Sequence, residues 1–481
     1  MIEKYIDETK QGAVHKGGGC TRNTKKLFLE SYGCQMNFSD SEIVVSILND
    51  EGFNTTDNVK EADLILLNTC SIREKAEQTV RTRLSHFKEL KRTNPNLTVG
   101  VLGCMAERLK AQFLEEEQLV DLVVGPDSYR DLPHLLKEIE NGKDAINVIL
   151  SKEETYADIN PVRLGGNGVS AFVTITRGCD NMCTFCVVPF TRGRERSRDP
   201  FSILKECKDL WNSGYKEIIL LGQNVDSYLW YGGGAKKDFS KASEMQKVTA
   251  IRFAQLLGMV AEEIPGMRIR FATSNPQDMS LEVFSKMIQY PNICRYVHLP
   301  VQSGSDKILR SMNRQHTREE YLSLIRKARN MVPDLAFSQD MIVGFCGETE
   351  ADHRDTLSLM KEVGYDYGYM FAYSERSGTP AHKKMTDDVP EEVKKRRLRE
   401  VIDLQGELSA QRMKSYVGRV HEVLIDGESK KDKDQWKGRI SQNAVVVFDK
   451  EYDTKLGDFV QVFVERSTRG TLVGKIIEIK S

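Results

Sequence analysis

The apolar and polar positions divide the chain into three parts with different patterns. From about residue 24 to 145 short apolar strands alternate with helical segments, and this alternation returns about six times between residues 165 and 400. From about residue 415 short strands are separated by turns. These patterns predict parallel α/β units followed by a small β-barrel. The expected fold class is therefore multidomain α/β: an N-terminal open parallel α/β domain, a partial (β/α)6 barrel and a C-terminal β-barrel of OB-like size.

In the N-terminal domain, three cysteines stand at equivalent places in the predicted sheet. Strands are predicted at residues 27–32, 62–68, 97–102 and 120–124, and helices at 39–49 and 73–91. Cys34, Cys70 and Cys104 each follow one of the first three strands. Because the carboxyl ends of parallel strands share one edge of a sheet, we expect the three thiols to lie close together. The alternative is that each is an ordinary buried cysteine.

A second group of cysteines follows the first strand of the predicted barrel. The barrel strands are predicted at residues 172–176, 217–221, 269–273, 296–299, 336–343 and 367–373, with helices such as 251–262, 281–288 and 318–330. Cys179, Cys183 and Cys186 form a C-x3-C-x2-C array just past the first of these strands. In barrels of this kind the active site lies at the carboxyl ends of the strands, where this array stands.

Both groups contain three cysteines, which indicates iron–sulfur clusters with one open iron. A structural zinc site takes four ligands, and no cysteine or histidine follows the array at a finger-like distance. A four-iron cluster held by three cysteines leaves one iron free to bind another molecule. The alternative is a closed ferredoxin-like cluster whose fourth ligand is remote in the sequence.

Composition and charge limit the possibilities further. The chain has 481 residues, of which 40% are hydrophobic, and a formal net charge of −1. The length fits two to four domains, and the charge does not by itself indicate a nucleic-acid partner. Neither a membrane span nor a signal peptide is predicted, because no apolar run reaches about 18 residues and the start is polar. Ten cysteines in such a chain favour metal ligands or free thiols and a cytoplasmic location.

The domain boundaries follow from changes in composition. We predict a flexible extension at residues 1–23, with Cys20 as a bystander, and domains at 24–145, 165–400 and 415–481. Residues 231–249 are rich in Gly, Lys and Ser and are predicted to be a mobile loop near the barrel mouth. Strands of the C-terminal barrel are predicted at residues 421–425, 444–448, 459–464 and 474–479.

Two basic runs are candidates for contacts with an anionic substrate. The first follows the cysteine array and consists of Arg192, Arg194, Arg196 and Arg198. It is predicted to bind substrate, with pairing to acidic neighbours as the alternative. The second, residues 394–399, lies on a predicted helix and either faces solvent or contacts phosphates.

Residues 177–198 resemble the radical S-adenosylmethionine (SAM) superfamily. The resemblance rests on the cysteine spacing, on Phe185 before the last cysteine, on Arg177-Gly178 and on residues 189–198. It implies that SAM chelates the open iron and is cleaved reductively to a 5′-deoxyadenosyl radical. Polar residues at or near the ends of barrel strands are then candidates for binding SAM, with ordinary turn positions as the alternative: Gln223, Asn224, Ser274, Gln302, Ser303 and Asp340.

From about residue 25 to 480 the chain resembles the methylthiotransferase family, which has an N-terminal three-cysteine domain, a radical SAM barrel and a C-terminal TRAM domain. The motifs that carry the resemblance are at residues 32–37, 68–76, 179–198, 299–305 and 373–380. The first two motifs favour the branch that acts on dimethylallyladenosine. Cys346, Asn275 and the long segment 231–249 depart from the family pattern at the rim of the pocket.

This resemblance implies methylthiolation of carbon 2 of N6-isopentenyladenosine next to the anticodon in tRNA. The implied cofactors are SAM and two [4Fe–4S] clusters. One cluster, at Cys179, Cys183 and Cys186, forms the radical. An auxiliary cluster, at Cys34, Cys70 and Cys104, carries a sulfur that a second SAM methylates. The implied partners are the tRNA anticodon stem-loop with isopentenylated adenosine and a reductant protein such as flavodoxin or ferredoxin, with a monomeric chain and no membrane.

Three other functions stay open from the sequence. One is a methylthiotransferase that acts on threonylcarbamoyladenosine in tRNA or on a ribosomal-protein aspartate. Another is a radical SAM enzyme whose auxiliary cluster relays electrons. The third is an iron–sulfur scaffold that binds RNA, which absence of SAM cleavage would favour.

Overall fold

The computed structural model describes residues 12–14, 25–71, 74–117, 119–165, 167–451 and 453–480. Most of the predicted N-terminal extension, including Cys20, therefore lies outside the described residues. Ala13–Val14 (β1) is described and pairs antiparallel with Glu30 and Ser31 at an edge of the first sheet. None of the described helices is both long and apolar enough to cross a membrane.

The first domain is an open α/β sheet with helices packed on its two faces, as predicted. The strands are β2 (Lys25–Ser31), β3 (Phe53–Thr55), β4 (Leu64–Thr69), β5 (Thr98–Gly103), β6 (Leu122–Val124) and β7 (Ala145–Asn147). The order is β1-β2-β4-β5-β6-β7, with β3 beside β2 and all pairs except β1–β2 parallel. The helices are α1 (Gln35–Asp50), α2 (Glu74–Thr93), α3 (Cys104–Leu109), α4 (Ala111–Glu116) and α5 (Leu132–Glu140). Strand β4 is buried throughout, as a parallel strand covered on both faces must be.

The second domain contains the six predicted parallel strands in two groups of three. They are β8 (Ser170–Thr174), β11 (Glu217–Leu221), β14 (Arg268–Phe271), β15 (Tyr296–His298), β16 (Ala336–Val343) and β17 (Tyr367–Ala372). Short antiparallel pairs join β9 (Thr176–Arg177) to β10 (Arg196–Ser197) and β12 (Leu229–Trp230) to β13 (Ile251–Arg252). Sheets β14-β11-β8 and β15-β16-β17 surround the largest apolar core.

The helices of this domain cover the outside of the strands and connect them. They are α6 (Val188–Thr191), α7 (Pro200–Asn212), α8 (Glu244–Val248), α9 (Phe253–Glu263), α10 (Leu281–Gln289), α11 (Asp306–Ser311), α12 (Arg318–Met331), α13 (Glu350–Val363), α14 (Pro380–Lys384) and α15 (Glu391–Lys414). Residues 231–249, predicted to be a mobile loop, are folded instead. They contain a 3-10 helix, Lys236–Lys241, and helix α8, which a Ser243–Gln246 capping box begins.

The third domain is a closed five-stranded barrel. Its strands are β18 (Val420–Glu428), β19 (Gln435–Arg439), β20 (Val445–Asp449), β21 (Phe459–Ser467) and β22 (Leu472–Lys480), in the order β18-β19-β20-β22-β21. The sequence did not predict β19, because a lysine, an arginine and a glycine hide its alternation. The barrel is joined to β14, where Arg268 donates to the carbonyl of Arg439 and Arg270 to those of Ile440 and Ser441.

Candidate metal centres

The first cysteine triad lies at the carboxyl ends of three neighbouring strands. Cys34 follows β2 and caps α1, Cys70 follows β4 directly, and Cys104 follows β5 as the first residue of α3. Strands β2, β4 and β5 are adjacent and parallel, so their ends share one edge of the sheet. Cys34 and Cys70 are within hydrogen-bonding range of one another, and Cys104 lies close enough to Cys34 to interact with its charge.

Two glycines allow this close approach. Gly33 has a φ of +114°, and a Cβ there would lie 2.3 Å from the Cβ of Cys70. Gly103 has a φ of +88°, and its Cβ would lie 2.5 Å from Oδ1 of Asn68. A side chain at either position would be strained and would collide with the neighbouring strand end. The backbone before Cys34 and Cys104 is therefore built for tight packing around the triad.

A guanidinium group from the second domain contacts the first triad. The Nε of Arg192 donates to the Sγ of Cys104 at 3.2 Å, and its Nη2 donates to Oδ1 of Asn37 and Oδ2 of Asp40, both at 2.8 Å. A hydrogen bond with Cys70, together with the Arg192 charge, lowers the pKa of Cys34 to about 6, although burial opposes the shift. Burial raises the pKa of Cys104 despite that same charge. The triad thus includes one thiol that ionises readily.

The second triad lies on the loop between β9 and α6. Cys179 and Cys183 are buried and Cys186 is half-buried. The loop is folded tightly, because a Cβ on Gly178, whose φ is +74°, would lie 2.2 Å from the carbonyl oxygen of Arg194. Burial and the charges of neighbouring thiolates raise the pKa of Cys179 and of Cys186. Three thiolates at this place require a cation, which a bound metal cluster would supply.

The donor sets fit iron–sulfur clusters better than a single ion. Among the described residues, no three Cys, His, Asp or Glu side chains converge as the ligands of one metal ion. A four-iron cluster can bind one cysteine on each of three irons and leave the fourth iron open, and its ligands lie further apart than those of a single ion. The two triads also lie near each other, because α3, which begins at Cys104, packs against α6, which follows Cys186.

Of the six predicted SAM-binding residues, three have free acceptors. The side-chain oxygens of Gln223, Asn224 and Gln302 are buried and have no hydrogen-bond partner among the described residues. Such groups are costly unless a ligand or water satisfies them. Gln302 also has a φ of +75°, an unusual conformation for a residue with a side chain. These three residues therefore suit a polar ligand.

The other three predicted SAM-binding residues have side chains that contact other residues of the chain. Ser274 donates to Oδ1 of Asp226 at 3.1 Å. Ser303 is fully buried and accepts from the backbone N of Ser305 at 3.2 Å, as a residue of a turn does. Asp340 lies within β16, with its Oδ1 3.6 Å from Nε2 of His298. The contact of Ser303 fits the alternative that it is an ordinary turn residue. Of these three residues, only Asp340 has a side chain that is partly exposed to solvent.

A cleft opens beside the first triad, between the first domain and the end of β17. Its volume is about 570 Å³. From the first domain it is lined by Ser71, which follows Cys70, and by Arg108 on α3. From the second domain it is lined by residues 372–377 and by Lys394 of α15. Its size falls in the range of small-ligand sites.

Comparison with known proteins agrees with the three-domain architecture. The sequence matches the uncharacterized protein family UPF0004 at residues 26–125, the radical SAM superfamily at 173–360 and the TRAM domain at 414–477. A tRNA-2-methylthio-N(6)-dimethylallyladenosine synthase of Christiangramia forsetii is 65% identical over 476 residues, covering 99% of both chains. The synthase of that name from Flavobacterium johnsoniae is 64% identical over 480 residues, covering 100% of both.

The chain belongs to the tRNA-2-methylthio-N6-dimethylallyladenosine synthase family. A more distant member, from Bacteroides fragilis, is 50% identical over 464 residues, covering 96% of this chain and 98% of that one. Among solved structures, the radical SAM methyltransferase TsrM from Kitasatospora setae has a TM-score of 0.53 at 14% identity, covering 75% of this chain and 77% of that one. This structural likeness shows a shared fold.

In this synthase-family chain, three of the four arginines predicted to bind substrate are internal. Arg192, Arg196 and Arg198 are buried, and their carboxylate partners are Asp40, Asp127 and Glu206, respectively. A buried, paired guanidinium cannot reach an RNA phosphate, so the structure corrects the prediction for these three. Arg194 keeps a side chain that is 38% exposed, although its Nε lies 3.0 Å from Oδ1 of Asp180.

The second basic run of this synthase-family chain is also largely paired within the domain. Lys394 and Arg397 are buried against Asp387 and Glu348, and Arg396 pairs with Glu350 on α13. Lys395 and Arg399 are exposed. The run therefore holds α15 against the barrel more than it forms a continuous basic surface.

Two acidic residues near the centres of the synthase-family fold were not predicted from the sequence. Asp278 accepts hydrogen bonds from Asn181, on the loop of the second triad, at 3.2 Å and from Asn224 at 2.6 Å. Asp278 lies in the polar segment after β14, and this position could have identified it as a candidate from the sequence. The helix predicted at 39–49 in fact begins at Gln35 (α1), and Asp40 within it is buried between Arg177 and Arg192. Its partners are too remote in the sequence to have indicated this.

Proposed function

We propose that the chain methylthiolates carbon 2 of N6-isopentenyladenosine next to the anticodon of tRNA. The observation that carries the proposal is the pair of three-cysteine sets, one on each of two domains, which approach each other where α3 packs against α6. The names of the relatives support the substrate, because the synthases from Christiangramia forsetii and Flavobacterium johnsoniae are named for this product. The TRAM domain is consistent with an RNA substrate.

Each triad would hold one [4Fe–4S] cluster. When bound, the clusters would supply the electron that cleaves SAM to a carbon radical and the sulfur that is transferred. Radical chemistry is needed because the C–H bond at carbon 2 of adenine has no acidic proton for a base to remove. This explains why the proposed mechanism assigns no general acid or base among the chain's residues. The ligands we propose are Cys34, Cys70 and Cys104 for the auxiliary cluster and Cys179, Cys183 and Cys186 for the radical cluster.

The barrel residues with unsatisfied oxygens would orient SAM. Gln223, Asn224 and Gln302 each offer a buried acceptor, which suits the amino group and ribose hydroxyls of SAM. Asp340 is a further candidate, because its carboxylate is only partly buried. Ser274 and Ser303 are not proposed as SAM ligands, because their hydroxyls already serve Asp226 and the turn at Ser305.

The target nucleoside would enter through the cleft beside the first triad. A base must leave its stack to reach an enclosed site, and RNA loops present such bases readily. Ser71, one residue after Cys70, lines the cleft from the first domain, and Tyr373 lines it from the second. Arg376 and Arg194, both outside the buried network, are the cations we propose near the RNA backbone.

The proposal extends to the partners. A low-potential protein such as flavodoxin or ferredoxin would reduce the radical cluster, and the chain would act as a monomer on tRNA in the cytoplasm. These partners follow from the proposed chemistry, since each SAM cleavage consumes one electron.

The test is nucleoside mass spectrometry on isopentenylated tRNA after anaerobic incubation with the reconstituted protein, SAM and a low-potential reductant. We expect the isopentenyladenosine to gain a methylthio group. Formation of 5′-deoxyadenosine without this gain would reject the substrate and retain the radical site. Absence of both products would reject the enzyme function. Unmodified tRNA that lacks the isopentenyl group serves as the control substrate.

A further inference from the structure

We propose that Arg192 is a positioning residue that reaches from the loop of one triad to the cysteines of the other and raises the reduction potential of the auxiliary cluster. The inference rests on the proposed function, because it requires a cluster at Cys34, Cys70 and Cys104. It gives a specific role to an arginine that the sequence had assigned to substrate.

The position of Arg192 connects the two triads directly. Arg192 caps the carboxyl end of α6, six residues after Cys186, and its side chain is only 4% exposed. Its Nε donates to the Sγ of Cys104 at 3.2 Å. Its Nη2 donates at 2.8 Å to Oδ1 of Asn37, and the Sγ of Cys34 lies 3.7 Å from that same oxygen. The guanidinium of Arg192 thus contacts Cys104 directly and Cys34 through Asn37.

The guanidinium is held in a fixed orientation. Asp40, fully buried, binds Nη2 of Arg192 through Oδ2 and Nη1 of Arg177 through Oδ1, each at 2.8 Å. Asn37 is in turn fixed by a bond from its Nδ2 to the carbonyl of Tyr32 at 3.0 Å. Because both partners are anchored, the Nε–H of Arg192 stays directed at Cys104.

One donor of this group is unused by the described residues. The Nη1 of Arg192 is buried and has no hydrogen-bond partner among them. An unsatisfied donor on a buried cation is costly, and a charged acceptor relieves that cost. The sulfur atoms of an iron–sulfur cluster are acceptors of this kind.

The charge of the surrounding network also calls for an anion. The guanidinium groups of Arg177, Arg192 and Arg196 meet the carboxylates of Asp40 and Asp127, so this connected set carries one surplus positive charge. Buried charges are stable only when they are compensated. A cluster with three thiolate ligands next to Arg192 would provide the compensation.

The expected consequence is a higher reduction potential. Reduction adds negative charge to a cluster, and hydrogen bonds to its sulfurs stabilise the reduced state. A charged donor does so more strongly than a neutral one. Removal of Arg192 should therefore make the auxiliary cluster harder to reduce while the cysteines still hold it.

The experiment is a redox titration of the auxiliary cluster, followed by electron paramagnetic resonance. The full chain carries Cys179→Ala, Cys183→Ala and Cys186→Ala, so that only the auxiliary cluster contributes. In this background we compare Arg192→Gln with Arg177→Gln, which removes the other guanidinium from the same Asp40 carboxylate. We expect Arg192→Gln to weaken electron affinity at least tenfold, which is about 59 mV for a one-electron couple. Arg177→Gln should lower the reduction potential by a several-fold smaller amount.

Equal potentials in the two variants, whether both unchanged or both lowered, would overturn the inference, because Arg192 would then have only a structural role. If Arg192→Gln does not retain iron, Arg192→Lys decides. Lysine keeps the charge without the planar fork, so we expect a smaller decrease in potential, and an unchanged potential would refute the inference. A background protein that holds no cluster at all would reject the proposed function itself, and the inference with it.

Discussion

Arg270 provides a quantitative test of how the second domain holds the C-terminal barrel. This residue on β14 is 3% exposed, and its Nε donates to Oε2 of Glu217 on β11 at 2.7 Å. Its Nη2 and Nη1 donate to the carbonyls of Ile440 and Ser441 at 2.8 and 3.1 Å. Although burial alone would raise the pKa of Glu217, the charges of Arg270 and Arg268 hold that pKa below its usual value. The carboxylate is therefore charged and depends on its cation.

We expect Arg270→Met to destabilise this region by about 4 kcal/mol. Removing one partner of a buried ion pair costs about 3–5 kcal/mol, because the other charge stays buried and uncompensated. The two carbonyls also lose their donors, at about 1 kcal/mol each when the bond is not replaced. Some of this total is recovered, because Ser170 still donates to Glu217.

Hydrogen–deuterium exchange of β11, β14 and the β19–β20 hairpin measures this cost locally. A loss of about 4 kcal/mol corresponds to exchange about 1,000-fold faster, since 1.4 kcal/mol is a factor of ten. The matched control is the double variant Glu217→Leu with Arg270→Met, which removes both charges. Replacement of a buried pair by apolar residues is often neutral, so exchange in β11 should return most of the way to the original rate. Equal exchange rates in the single and double variants would refute the argument, as would a single-variant loss below about 1 kcal/mol.

Three further outcomes are expected. Replacing Cys179, Cys183 and Cys186 together by alanine should reduce iron from about eight to about four atoms per chain and abolish 5′-deoxyadenosine formation; unchanged SAM cleavage would contradict the assignment. Cys34→Ala should retain SAM cleavage but lose sulfur transfer, as measured by nucleoside mass spectrometry, and continued transfer would place the auxiliary site elsewhere. Burial raises the pKa of Asp226 from 3.8 to about 8, so its contribution to stability is full below about pH 4 and is lost as the pH rises towards 8. The melting temperature of Asp226→Asn should therefore fall less between pH 6 and 8.5 than that of the unmodified protein, and equal slopes would contradict this.

The sequence predicted the architecture well because the relevant rules are local. The parallel order of β2, β4 and β5 follows from alternating strands and helices, and it brings Cys34, Cys70 and Cys104 to one edge without any knowledge of distant contacts. The bounds predicted for β11 and β16 also agree with the structure, although β16 carries Ser338, Gln339 and Asp340 between its apolar ends.

The roles of the arginines could not be predicted in this way. Arg192 and Asp40 are separated by 152 positions, and Arg196 and Asp127 by 69. A basic run has the same local pattern whether its residues face solvent or a buried carboxylate from another domain. Only the packing of the first domain on the second decides between these cases, and no periodicity in the sequence records it.

The interface between the two triad-bearing domains depends on buried ion pairs as well as apolar contact. Arg163 joins Glu42 of α1 to Glu206 of α7, and Asp40 joins Arg177 to Arg192. Such pairs often contribute little net stability compared with apolar packing, but a misplaced partner leaves an uncompensated charge, so they restrict the geometry of the contact. We infer that they fix the orientation of the two triads. Because Arg192 belongs to this network and also contacts Cys104, the orientation of the domains and the environment of the first triad cannot change independently.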